Sequence, residues 1–219
     1  MIAVVDYGRG NLFSLGQALN HLGAPHEITE DPELILAAEQ VVLPGVGAFR
    51  DAMDGLARRG LVKPLREVVR RGTPLLGICL GMQILVDRSE EFGPHEGLGF
   101  IPGTVKRLPE GDEGSNIIRI PNVGWRALKP VPGDPFLGDL ARGTMMYFVH
   151  SYAPLVEDAA HVAATIEVNG VDVAAVIRRD NVVGFQFHPE KSGMAGLDLL
   201  RRFLDLFRTS APAVGMSAS

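Results

Sequence analysis

The stretch that decides the fold runs from Thr73 to Gln83, T-P-L-L-G-I-C-L-G-M-Q. Leu75, Leu76 and Ile78 form a short apolar run of the kind buried as a strand in a sheet. Met82, Ile84, Leu85 and Val86 open a segment that suits a helix. Cys79, the only cysteine of the chain, sits on the join, with Gly77 two residues before it and Gly81 two after it. A nucleophile on a sharp strand-to-helix turn needs small neighbours, because the backbone crowds itself there. Such a turn raises the side chain above the sheet and aims the following N–H groups at an attacked carbonyl. Cys79 is thus a candidate nucleophile. The competing reading is a packed thiol, since free cysteine often behaves as a small buried hydrophobe. G-x-C-x-G fixes three positions and does not decide between the two.

Outward from this turn, the first third of the chain alternates strand and helix. Ile2–Val5 reads as a strand, Asp6–Asn11 (D-Y-G-R-G-N) as a polar loop, and Leu12, Leu15, Ala18, Leu19 and Leu22 as the apolar face of a helix capped by Gly23. His26–Thr29 and Gln40–Leu43 read as further strands, the second running into Pro44-Gly45-Val46-Gly47. Phe49, Met53 and Leu56 mark one helix and Leu61–Arg71 another. This alternation predicts an α/β fold: a central, mostly parallel sheet between two helical layers. Ligands in such sheets bind beyond the carboxyl ends of the strands, where the loops at 6–11, 44–47 and 79 all fall. The loop at 6–11 lacks the third glycine of a dinucleotide fingerprint and the lysine of a P-loop, so no nucleotide cofactor is expected there.

From Arg88 to Asp139 proline and glycine are frequent and periodicity is poor, which suggests a lobe of loops and short strands at 105–108 and 117–120. The final third reads as strands at 145–149, 161–168, 171–177 and 181–187, with Asn169-Gly170 as a hairpin turn. A helix over 193–207 closes the domain, taken as residues 1–208, and the small, polar segment 209–219 reads as a disordered tail. A net charge of −5 argues against a broad nucleic-acid surface. One cysteine excludes a disulfide framework and a cysteine-rich metal site, and no metal is expected. No apolar run reaches the ~18 residues of a membrane span, and Met1 leads straight into strand-like sequence without a leader pattern, so a cytoplasmic chain is expected.

A thiol nucleophile needs a base, and six histidines are available. His150 follows the strand-like Tyr147-Phe148-Val149 and could line the same edge. His188 ends the run Val182–Phe187 and is followed by Pro189 and Glu190. Proline pushes the residue before it into extended backbone, where residues i and i+2 project to one side. The Glu190 carboxylate can then orient the His188 imidazole as the third member of a triad does. Leu80 N–H and an N–H of Gly45-Val46-Gly47 are placed to hold the oxyanion. The chemistry this allows is acyl transfer from an amide or ester.

P-G-V-G at 44–47, G-I-C-L-G-M-Q at 77–83 and H-P-E-K-S-G at 188–193, in this order, resemble the class I (triad) glutamine amidotransferases over nearly the whole chain. D-Y-G-R-G-N and Y-F-V-H-S-Y (147–152) are similar to the branch that serves histidine biosynthesis. The resemblance implies a flavodoxin-like fold and hydrolysis of L-glutamine to glutamate and ammonia. The ammonia would pass to a separate cyclase subunit with a (β/α)₈ barrel, an obligate partner in a heterodimer. It implies Cys79, His188 and Glu190 as catalytic residues and Gly45, Val46, Gly47 and Leu80 as the oxyanion hole. It also implies Gln83, Glu91, Ser151 and Tyr152 as substrate contacts and Asn11, Trp125 and Lys191 as partner contacts. The family pattern P-H-M-G-W-N here reads Pro121-Asn122-Val123-Gly124-Trp125-Arg126, a departure that bears on the cyclase contacts. Alternatives are a glutaminase serving another synthetase, a stand-alone cysteine hydrolase, or a non-catalytic flavodoxin-like module with an inert Cys79.

Overall fold

The computed structural model describes residues 1–111 and 118–206. In chain order its elements are β1 (Ile2–Val5), α1 (Leu12–His21), β2 (His26–Thr29), α2 (Pro32–Ala37), β3 (Gln40–Gly45), α3 (Phe49–Arg58), α4 (Val62–Arg70) and β4 (Leu75–Cys79). Then follow α5 (Leu80–Gln83), β5 (Val86–Ser89), β6 (His95–Glu96), β7 (Ile101–Arg107), β8 (Asn122–Ala127), β9 (Lys129–Pro130), β10 (Met145–His150) and β11 (Tyr152–Val156). The chain closes with β12 (Val162–Val168), β13 (Val171–Arg179), β14 (Val182–Phe185) and α6 (Gly193–Leu206). An eight-stranded sheet has the order β2-β1-β3-β4-β14-β13-β12-β9. It is parallel from β2 to β14 and antiparallel beyond.

Strand alternation divides the core. Ile2 and Val4 join Leu15, Leu19, Leu200 and Phe203 on one face, under α1 and α6. Ala3 and Val5 join Leu56, Leu65 and Val68 on the other, under α3 and α4. The sheet is thus buried on both faces, which is why its strands are continuous apolar runs.

Several details depart from the sequence reading. The helix after Cys79 is a single turn, Leu80–Gln83, and Val86 starts a strand instead of extending that helix. With β6, β7 and β11, β5 forms a second, four-stranded sheet, so the lobe after Arg88 is more regular than its composition suggests. No strand forms at 118–120, and residue 117 lies outside the described residues, as do Phe207 and the tail from 209. Met53 is only partly buried; Ala52 and Gly55 take the inner face of α3 with Phe49 and Leu56. The Asn169-Gly170 turn is as expected, with φ of +50° and +78° and Val168 paired with Val171.

Candidate active site

Cys79 ends β4 with φ +55° and ψ −110°, in a region a non-glycine residue occupies only at a cost. The glycines on either side make this turn possible. A Cβ on Gly77 would stand 2.6 Å from the Gly81 carbonyl oxygen, and one on Gly81 would overlap the Leu43 carbonyl oxygen. The turn therefore presses against β3, whose end Gly45 is the register partner of Cys79.

β14 lies on the other side of β4 and leads to His188, which keeps the extended backbone that Pro189 demands (φ −97°, ψ 98°). His188 Nδ1 donates to Glu190 Oε1 at 2.9 Å, since a carboxylate oxygen accepts. The two side chains are 5% and 2% exposed. Ser192 Oγ donates to the His188 carbonyl at 2.7 Å and accepts from Tyr147 N–H at 3.0 Å, which ties this turn to β10. Burial pulls the His188 pKa down. Hydrogen bonds to Cys79 and Glu190, and the negative charges of both, more than reverse this and raise it from 6.5 to about 9.

A cavity of about 300 Å³ opens above Cys79. Of the residues singled out from sequence, Val46, Gly47, Cys79, Leu80, Gln83, Glu91, Ser151, Tyr152, His188 and Lys191 line it. Gly45 does not; it lies behind the site, in a small void shared with Asn11, His188 and Glu190. Gly47, at φ +105°, takes a conformation that suits glycine. Glu91 Oε2 accepts from Phe49 N–H at 2.7 Å. It thereby caps α3 in place of Ala48, which has no side-chain acceptor. The Gln83 amide nitrogen is held by the Tyr152 carbonyl (2.8 Å) and by Gln186 Oε1 (3.1 Å).

Asn11, expected on a partner surface, turns its amide inward to Glu190 Oε1 at 3.2 Å and leaves α1 without a side-chain cap. Lys191 is exposed at the rim of the cavity. Trp125 is 47% exposed, its ring edge-on to Tyr147 at 6.0 Å. It sits on the outer face of the β8–β10 ribbon with Val123, Met145 and Val149, all more than a third exposed.

Sequence reasoning passed over Gln186, Pro121 and Val149. Gln186 Nε2 lies 3.9 Å from Cys79 Sγ, as does the Val149 carbonyl oxygen. The signal for Gln186 was a lone polar residue inside the apolar run 182–187, two positions before His188 and so on the same side of the chain. Among the described residues no cluster of His, Cys, Asp and Glu could hold a metal ion.

A thiol on a strained elbow, backed by a paired imidazole and carboxylate above an α/β sheet, is a triad geometry. The family model for "Glutamine amidotransferase class-I" matches residues 3–206. The chain belongs to the class-I glutamine amidotransferases. It is 49% identical over 213 residues to "Imidazole glycerol phosphate synthase subunit HisH" of Moorella thermoacetica, covering 97% of this chain and 98% of that one. The protein of the same name from Geobacter sulfurreducens is 46% identical over 203 residues, covering 92% and 97%. A solved structure described as a glutamine amidotransferase superposes with a TM-score of 0.71 at 18% identity, covering 94% of this chain and 99% of that one, and shows the same fold. Among the described residues no helix is long and apolar enough to cross a membrane.

Proposed function

We propose that this amidotransferase is the glutaminase subunit of an imidazole glycerol phosphate synthase, with Cys79, His188 and Glu190 as its triad. The observation that carries the chemistry is Cys79 at φ +55° on the end of β4, with the His188–Glu190 pair at 2.9 Å on the neighbouring strand end. The synthase assignment rests on relatives of that name that match nearly end to end.

In this reading His188 takes the Cys79 proton, and the thiolate attacks the side-chain carbonyl of glutamine. The N–H groups of Leu80 and of the Gly45–Gly47 loop receive the oxyanion. The imidazolium, kept charged by Glu190, protonates the departing ammonia. Water then cleaves the thioester and releases glutamate. Glu91 and Gln83, with the backbone of Ser151 and Tyr152, hold the polar groups of the substrate. The ammonia passes to a separate cyclase subunit with a (β/α)₈ barrel, which makes imidazole glycerol phosphate and an aminoimidazole carboxamide ribotide in the cytoplasm. The apolar outer face of the β8–β10 ribbon, with Trp125 at its centre and Lys191 at the cavity rim, suits the docking surface.

Ammonia release from glutamine, measured alone and with the cyclase and its nucleotide ligand, tests this. Low activity alone, a large rise with partner and ligand, and loss in Cys79→Ala are expected. Full activity in Cys79→Ala overturns the triad; robust activity with no dependence on a cyclase overturns the coupled subunit.

A further inference from the structure

His150 is a second imidazole in the same cavity, and its state is specified by its neighbours. Its Nδ1 lies 2.9 Å from the Tyr152 carbonyl oxygen, which can only accept, so Nδ1 carries a hydrogen. Its Nε2 lies 2.9 Å from Asn122 Nδ2, an amide nitrogen that can only donate, so Nε2 is bare. Asn122 and His150 are register partners on β8 and β10, and their side chains point to the inner face of the ribbon. Turning the amide over would set its oxygen against Nε2 and require a doubly protonated ring. That cation would be buried, with Arg126 on β8 and His188 as like-charged neighbours. The other titratable groups around the cavity are Cys79, Glu91, Tyr152 and Lys191. Burial first, and then the charges of Arg126 and His188, hold the His150 pKa down from 6.5 to about 4, against the bond to Tyr152.

We propose that Asn122 is a positioning residue that locks His150 as the neutral Nδ1–H tautomer, so that His188 alone among the cavity's imidazoles takes the thiol proton. The inference rests on the triad reading for the role of His188, but the tautomer itself follows from Asn122 and Tyr152. A cationic His150 would repel the His188 imidazolium and weaken its pairing with the Cys79 thiolate. A free Nε2 on His150 would offer a second, unproductive base. Asn122 serves through its N–H, not through packing: it is fully buried, yet its Oδ1 has no partner, a cost that an apolar residue would not carry.

The test is ¹⁵N NMR of the imidazole nitrogens in the full chain, with the pH profile of kcat/KM for glutamine hydrolysis. In the unaltered protein His150 is expected to show a protonated Nδ1 and a bare Nε2 at pH 6 to 9. In Asn122→Asp a carboxylate that can only accept faces Nε2, so the ring should be doubly protonated at pH 7. The kcat/KM profile should gain an ionisation, and its plateau should fall about two- to tenfold, the weight of one hydrogen bond. A hydrogen on Nε2 in the unaltered protein overturns the proposal without any variant. So does an Asn122→Asp protein whose His150 stays neutral and whose profile is unchanged. Cys79→Ala separates the two readings: retained ammonia release there defeats the triad, and with it the role of His188, whatever the His150 spectrum shows.

Discussion

Two histidines, 38 positions apart in the chain (150 to 188), meet at one cavity with opposite electrostatics. His188 has a carboxylate on Nδ1 and the thiol as a second partner; His150 has a carbonyl and an amide, neither of which stabilises a cation as a carboxylate does. The neighbours thus favour the charged form of one imidazole and the neutral form of the other, which suits the proposed role of His188 as the base. Glu190→Gln should lower kcat by about 10²- to 10⁴-fold, because an amide neither fixes the tautomer firmly nor stabilises the imidazolium. The same change should move the alkaline limb of the kcat/KM profile to lower pH, since that limb follows a His188 pKa raised in part by Glu190. In the unaltered enzyme that limb should lie near pH 9; a pH–rate series on both proteins checks this.

At the scale of elements, the β4–α5 turn is held by contact with β3, and its glycines are not interchangeable with others in the chain. Gly81→Ala drives a methyl into the Leu43 carbonyl and should cost more than about 3 kcal/mol, read by urea unfolding. Gly60→Ala, with nothing within 4 Å but φ +70°, should cost only the ~1 kcal/mol of left-handed backbone. The β8–β10 ribbon is a second element with two jobs. Of its inner residues His150 lines the site, with Asn122 behind its ring and Phe148 in the core, while Val123, Trp125, Met145 and Val149 face outward. Trp125→Ala should weaken binding of a cyclase partner at least tenfold in titration calorimetry, the loss typical of an aromatic anchor.

Across the whole molecule, the two histidines set opposing limits on stability. The folded-state pKa of His188 is raised from 6.5 to about 9, so its contribution is complete below pH 6.5 and is lost as pH rises toward 9. The His150 pKa is lowered from 6.5 to about 4, so its contribution is complete above pH 6.5 and is lost as pH falls toward 4. Each is worth on the order of 3 kcal/mol. Thermal unfolding should therefore show a maximum between about pH 6 and 7. In Cys79→Ala the alkaline decline should shrink, because the hydrogen bond to Cys79 is one source of the His188 shift.

Local rules in the sequence determined the parts of the site that depend on near neighbours. Gly77 and Gly81 announce a crowded turn, Pro189 sets the backbone that lets Glu190 reach His188, and strand–helix alternation puts both at one sheet edge. Asn169-Gly170 likewise announces its hairpin. Only tertiary structure decided the rest, because its partners are far apart in sequence and no local period encodes them. Asn11 gives up capping α1 to hold Glu190, 179 positions away, and Gln83 is held by Gln186 across 103. The helix after Cys79 stops after one turn, Leu80–Gln83, pressed onto β3 at its glycines, and the apolar run beyond it enters a strand at Val86. The sequence already pointed to His188 through Pro189 and Glu190, but the protonation of His150 was beyond it, since that depends on what faces each ring nitrogen, and Asn122 and Tyr152 meet the ring only in the folded chain.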